Sequence, residues 1–288
     1  MKIFVLAVSA CMTLVTGCNQ PKIALPEAEI IIASTPENPN LTRVPSILLL
    51  IDGVPMQLAL DTGADELLLN ADSAEDAGFD LEAVESDNPS IDAVDLTFEL
   101  ENGRFIGRAE RISVVSLPIL ELLDLDGVID PRLLSLKRCG VFNFRDKTIH
   151  TWEKPISESC QFPSFPNSTE KVYLPEGYYT WADVGITERV RVFLDTGSSL
   201  TTIQPELLSP GAEAIQTVRR HSLKETQTGA LYGAIEVSFS EITVPTKNVL
   251  SGDALRFPMD SRAIIGFDVL SEAVLLIDGY DNEMWIEF

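Results

Sequence analysis

Two copies of one acidic turn stand out, Asp61-Thr62-Gly63 and Asp195-Thr196-Gly197, 134 residues apart. Each follows an apolar run, Gln57-Leu58-Ala59-Leu60 in the first case and Arg191-Val192-Phe193-Leu194 in the second, so each carboxylate falls where a strand ends in a turn. The glycine leaves the turn without a Cβ, which lets a backbone amide approach and hold the carboxylate. Brought face to face, two such acids cannot both ionise cheaply; they share a proton, and one member becomes a base while the other stays an acid. A pair in that state can take a proton from a water on one side and hydrogen-bond a carbonyl oxygen on the other. Taken singly, either aspartate reads equally well as ordinary turn chemistry. The weight lies in the repetition.

The elements that must position the two turns repeat as well. Gly127-Val128-Ile129-Asp130-Pro131-Arg132-Leu133-Leu134-Ser135 answers Ala263-Ile264-Ile265-Gly266-Phe267-Asp268-Val269-Leu270-Ser271 at an offset of 136. Val141-Phe142-Asn143-Phe144-Arg145-Asp146 answers Leu276-Ile277-Asp278-Gly279-Tyr280-Asp281 at an offset of 135. Three landmarks in one order at a near-constant offset argue for two copies of one unit. Each copy reads mostly as strands. Residues 46–51, the turn Asp52-Gly53 and residues 55–60 predict a hairpin leading into Asp61, and residues 71–77 followed by Gly78 predict one short helix. Alternating runs at 95–100 and 104–112, with Asn102-Gly103 between them, predict a further hairpin. Residues 153–171, with Pro155, Pro163 and Pro166, read as a connection between the copies.

Composition narrows the chemistry. The 21 basic residues against 44 acidic ones give a formal net charge of -23, which repels a phosphate backbone, so nucleic acid is not an expected partner. His150 and His221 are too few and too far apart for a zinc site, and no Cys-x-x-Cys spacing replaces them. The acidic stretch from Asp65 to Asp95 lacks the alternating ligand spacing of a calcium loop. Neither a metal nor an organic cofactor is expected.

The first 17 residues carry Lys2, an apolar run from Ile3 to Val8 and then small residues, the order of a secretory signal. Val15-Thr16-Gly17-Cys18 resembles a bacterial lipobox, which implies a lipoprotein acylated at Cys18. Asn19, where aspartate would retain it in the inner membrane, points to the outer membrane, facing the periplasm. The expected partner of this end is the membrane itself, through the lipid. In an oxidising compartment the two remaining thiols, Cys139 and Cys160, are expected to pair and so to tie the connection back to the first copy.

Across nearly the whole chain beyond the signal, the sequence resembles the aspartic peptidases, the pepsin and retropepsin superfamily. Leu60-Asp61-Thr62-Gly63-Ala64-Asp65 looks retropepsin-like and Leu194-Asp195-Thr196-Gly197-Ser198-Ser199 looks pepsin-like. The resemblance implies an all-β, two-lobed, pseudo-symmetric fold with a few short helices. Its expected boundaries are a signal at 1–17, a tether at 18–26, an N-terminal lobe at 27–152, a connector at 153–171 and a C-terminal lobe at 172–288. It implies catalysis by Asp61 and Asp195, with Thr62 and Thr196 bracing the turns across the lobe interface and Gly63, Gly197 and Ser198 supporting the pair. The implied activity is that of an endopeptidase acting on an extended peptide, competent as a monomer because one chain supplies both acids. A peptide-binding or assembly lipoprotein on the same scaffold is the alternative. The sequence departs from the pattern in three places. Asp130 stands where the family has glycine, so the packing behind Asp61 is expected to differ. Ala64 lacks the hydroxyl found at Ser198. No tyrosine lies in the first flap region, which leaves Phe98 and Phe105 there, and Tyr232 in the second half, as flap candidates.

Overall fold

The chain is held together by β-ladders. The structure, a computed structural model, describes residues 28–36, 38–39, 41–79, 90–91, 96–100, 105–109, 112–116, 118–155, 158–162, 171–221 and 226–288. The expected signal, the tether and Cys18 therefore lie outside the described residues. The described residues form an all-β fold of one six-stranded and two nine-stranded sheets, with short α-helices at Ala71–Asp76, Pro118–Leu123, Pro131–Leu134 and Phe267–Leu270. No helix among them is long and apolar enough to cross a membrane.

The first nine-stranded sheet is built on the expected hairpin. Val44–Ile51 and Val54–Leu60 pair antiparallel through a two-residue turn in which Asp52 and Gly53 both have positive φ, at 48° and 82°. Such a turn matches the right-handed twist of its strands, and asparagine, aspartate and glycine adopt it at least cost. Val54–Leu60 then lies parallel to Gly127–Ile129, in register Leu58 to Gly127 and Leu60 to Ile129. The second nine-stranded sheet has the corresponding contacts: Tyr179–Val184 pairs with Thr187–Leu194, which lies parallel to Ala263–Ile265 with Leu194 opposite Ile265. In both sheets the central strands are buried on both faces, which is why these segments read as continuous apolar runs.

The six-stranded sheet joins the first and last strands of the described residues, Ala28–Glu29 and Glu283–Glu287. At its centre Cys139–Asn143 pairs antiparallel with Val274–Asp278, so that Val141 faces Leu276, its own counterpart in the repeat. Leu275, Ile277, Phe142 and Phe144 are buried in a core that also contains Leu58, Leu60, Val192 and Leu194. The Phe144 and Phe267 rings meet edge to face at 5.8 Å, an arrangement aromatic pairs favour. Cys139 and Cys160 form the expected disulfide. Beside it, Asp278 accepts from Lys154 Nζ at 2.8 Å and from the Cys160 amide at 3.0 Å, which fixes the connecting segment on this sheet.

Candidate active site

Both acidic turns start from the same backbone device. The Asp61 amide donates to the Ile129 carbonyl at 3.0 Å, and the Asp195 amide donates to the Ile265 carbonyl at 2.9 Å. Each aspartate is thus the first residue past a strand whose parallel neighbour still grips its N–H. Beyond it the chain turns back, and the Ala64 and Ser198 amides bond to the carbonyls of Asp61 and Asp195, each at 3.2 Å.

The two turns are locked to each other by their threonines, as the sequence led us to expect. Thr62 Oγ1 donates to the Leu194 carbonyl at 2.7 Å and accepts from the Thr196 amide at 3.0 Å; Thr196 Oγ1 donates to the Leu60 carbonyl at 2.7 Å and accepts from the Thr62 amide at 3.0 Å. All four bonds are buried. A hydroxyl is the one small side-chain group that can donate and accept together in this way. The lock leaves no room for a larger residue at either glycine. A Cβ on Gly197 would lie 2.3 to 2.5 Å from atoms of the Asp61 carboxyl, and one on Gly63 would lie 2.9 Å from Asp61 Oδ1 and 3.2 Å from Asp195 Oδ1.

The Asp61 and Asp195 carboxyls lie beside one another, both within 3.4 Å of where a Cβ on Gly63 would stand, and both line a cleft of about 980 Å³. The Gly63 amide donates to Asp61 Oδ1 at 2.6 Å, and the Ser198 amide donates to Asp195 Oδ1 at 3.0 Å. The Ser198 hydroxyl turns away to the Leu200 carbonyl, so its backbone and not its side chain supports the pair, and Ala64 loses nothing by comparison. Burial and the charge of Asp195 push the Asp61 carboxyl well above the ordinary carboxylate range, and Asp130 adds to the effect. Asp195 is also raised by burial, but the Arg220 guanidinium 3.9 Å from its Oδ2, the Asp61 hydrogen bond and backbone amides pull it back. Both carboxyls are thus raised, and the nearby Arg220 guanidinium favours the ionised form at Asp195.

Asp130 does change what lies behind Asp61, by filling the glycine position with a polar hub. Its Oδ1 caps the helix Pro131–Leu134 by accepting from the Arg132 amide at 2.8 Å, and its Oδ2 accepts from Arg132 Nε at 2.6 Å. From the second half of the chain, the Tyr178 hydroxyl donates to Asp130 Oδ1 at 2.7 Å, while the Arg132 guanidinium lies over the Tyr178 ring. Gly266, the counterpart of Asp130, has no such space, because a Cβ there would come within 2.7 Å of the Ser198 and Leu200 carbonyls. Asp268 instead sits two residues on, with Oδ1 accepting from the Thr201 amide at 2.7 Å and from its hydroxyl at 2.9 Å. Its Oδ2 is buried without a hydrogen-bond partner among the described residues, and burial raises the carboxyl to about 6.

The flap expectations require correction. Phe98 and Phe105 belong to the hairpin Leu96–Leu100 and Phe105–Ala109, which joins Val44–Ile51 on the side away from Val54–Leu60. Their side chains lie outside the described residues, but in the sheet Val44–Ile51 lies between the hairpin and Val54–Leu60, the strand that leads into Asp61. Tyr232 packs against the main core at the end of Thr226–Tyr232 and does not line the cleft. The aromatic walls are Tyr178, Tyr179, Phe193 and Phe257. Residues 216–220 of Gln216–His221, the last strand of its sheet among the described residues, also line the cleft. Sequence reading missed Arg220. Its signal was its place two residues after Val218 on an alternating strand, the phase that turns inward.

No protein-family model matches the chain, and no curated protein proves significantly similar to it.

Proposed function

We propose that this protein is an aspartic endopeptidase, a single-chain member of the pepsin and retropepsin superfamily whose halves are two copies of one acid-protease lobe. The observation that carries the reading is the contact between the Asp61 and Asp195 carboxyls across two turns interlocked by Thr62 and Thr196. Two neighbouring buried carboxyls cost stability, and acids perturbed in this way cluster at functional sites.

The chemistry follows from the asymmetry of the pair. Asp195, held towards ionisation by Arg220, takes a proton from a water molecule as its oxygen adds to the scissile carbonyl carbon. Asp61 gives its proton to the carbonyl oxygen, so the intermediate is a neutral diol. Return of the Asp195 proton to the amide nitrogen, with recovery of a diol proton by Asp61, breaks the C–N bond. One water is consumed, one carboxylic acid and one amine leave, and the pair is restored.

The substrate is an extended peptide or protein segment. Among the described residues Gln216–His221 is the last strand of its sheet, and its residues 216–220 line the cleft, so a peptide in the cleft can add to it as a further strand. One chain supplies both acids, and the active form is a monomer. The same proposal places the protein in a bacterial envelope, lipid-anchored through Cys18 in the outer membrane and facing the periplasm; loss of membrane association in Cys18→Ser tests that part. For the activity, purified protein is incubated with a mixed peptide library between pH 3 and 7 and the products are read by mass spectrometry. Cleavage by the native chain and at least a hundredfold loss in Asp195→Asn support the reading. Equal cleavage by the variant removes Asp195 from the mechanism.

A further inference from the structure

The proposed hydrolysis uses the charge of Arg220 on Asp195 but not the hydrogen-bonding geometry of its guanidinium. Arg220 lies on Gln216–His221 with its side chain only 17% exposed, and its NH2 group reaches to 3.9 Å from Asp195 Oδ2. That separation is an ion pair but exceeds hydrogen-bond range. A guanidinium has five N–H donors, and this contact satisfies none of them by direct hydrogen bonding. Arg219 and Arg256 line the same cleft. Arginines thus line the cleft of the acidic pair in a chain whose formal net charge is -23.

We infer that Arg220 is a specificity residue that recognises a carboxylate carried by the substrate next to the scissile bond. The inference rests on the peptidase reading and deepens it by naming the substrate class. A peptide added to the edge of Gln216–His221 places a side chain, or a chain terminus, beside Arg220 while its backbone passes Asp61 and Asp195. A carboxylate there receives a two-pronged guanidinium contact, the geometry for which arginine is suited and lysine is not. The overall negative charge opposes this only at long range, because salt screens exposed charges beyond about 8 Å at physiological ionic strength, while a partly buried contact is screened much less. The carboxylate has two possible sources, an acidic side chain or a free C-terminus, and these are separable by peptide chemistry.

The test uses matched peptide pairs with the native chain, Arg220→Gln and Arg220→Lys. One pair differs by Glu against Gln beside the cleaved bond, and the other by a free against an amidated C-terminus. Both cleavage, as kcat/KM, and binding, as fluorescence anisotropy of labelled peptides, are measured. The native chain is expected to prefer the carboxylate form of one pair by at least about tenfold. The ratio is expected to fall to about one in Arg220→Gln, whatever the absolute rates, and to survive in part in Arg220→Lys. If no peptide is cleaved but selective binding is seen and disappears in Arg220→Gln, the peptidase reading fails and the carboxylate site stands. A native ratio near one, a ratio that persists in Arg220→Gln, an equal gain on all peptides in that variant, or no binding and no cleavage of any pair overturns the inference.

Discussion

Replacing Thr196 by valine should separate the interlock of the two turns from mere packing. Valine keeps the shape, but the Leu60 carbonyl loses its donor at 2.7 Å and the Thr62 amide loses its acceptor at 3.0 Å. Both groups are buried where water does not readily replace the lost partner, since Thr62 is 4% and Thr196 1% exposed. Each unsatisfied group costs about 1–3 kcal/mol, so the substitution should destabilise the fold by about 2–6 kcal/mol. Thr196→Ser keeps the hydroxyl and removes one methyl group, a cost of about 1 kcal/mol. Urea denaturation followed by circular dichroism measures both, with the valine midpoint falling by on the order of 1 M or more. A Thr196→Val variant as stable as Thr196→Ser would refute the claim that these four hydrogen bonds hold the two halves in register.

Reduction of the disulfide, or Cys160→Ser, removes a cross-link between residues 21 apart and should cost about 3 kcal/mol, read as a lower denaturation midpoint with dithiothreitol and no change with dithiothreitol in the variant. Asp268 gives a pH signature. Its folded pKa of about 6 lies above the ordinary value of 3.8, so the folded state holds the proton more tightly and stability is lost as pH rises from about 4 to about 6, by at most about 3 kcal/mol. Asp268→Asn should flatten that part of the stability profile and be the more stable form at pH 7; an unchanged slope contradicts the assignment. Tyr178→Phe leaves Asp130 Oδ1 with the Arg132 amide but without the phenol, and should cost about 1–2 kcal/mol in the same denaturation assay.

Much of this arrangement was legible because it is local. Asp52-Gly53 announces its hairpin through a backbone conformation that few residue pairs tolerate well, and the helix Ala71–Asp76 is followed by its cap Ala77 and by Gly78 at φ 76°, as its sequence indicates. The repeated Asp-Thr-Gly turns identified both acids and both bracing threonines, since the short-range need for a hydroxyl and a missing Cβ is written in the triplet itself. The cysteine pair followed from compartment and number. What escaped was long-range. Phe98 and Phe105 were picked for their aromatic rings in a hairpin of suitable length, but strand order decides which hairpin borders the cleft, and no local pattern reports strand order. Asp130 read as a departure from a glycine position because its partners, Arg132 and Tyr178, come from two halves of the chain. Arg220 was hidden for the same reason: nothing near it in sequence reveals the carboxylate 3.9 Å away.

The central claim is that Asp61 and Asp195 act as one unit on one water. The most direct measurement compares kcat/KM for a single cleaved peptide in Asp61→Asn, Asp195→Asn and the double variant. Because neither acid works without the other, each single substitution should lower the rate about as far as both together. Losses that multiply in the double variant, or a single variant that keeps the native rate, would contradict it.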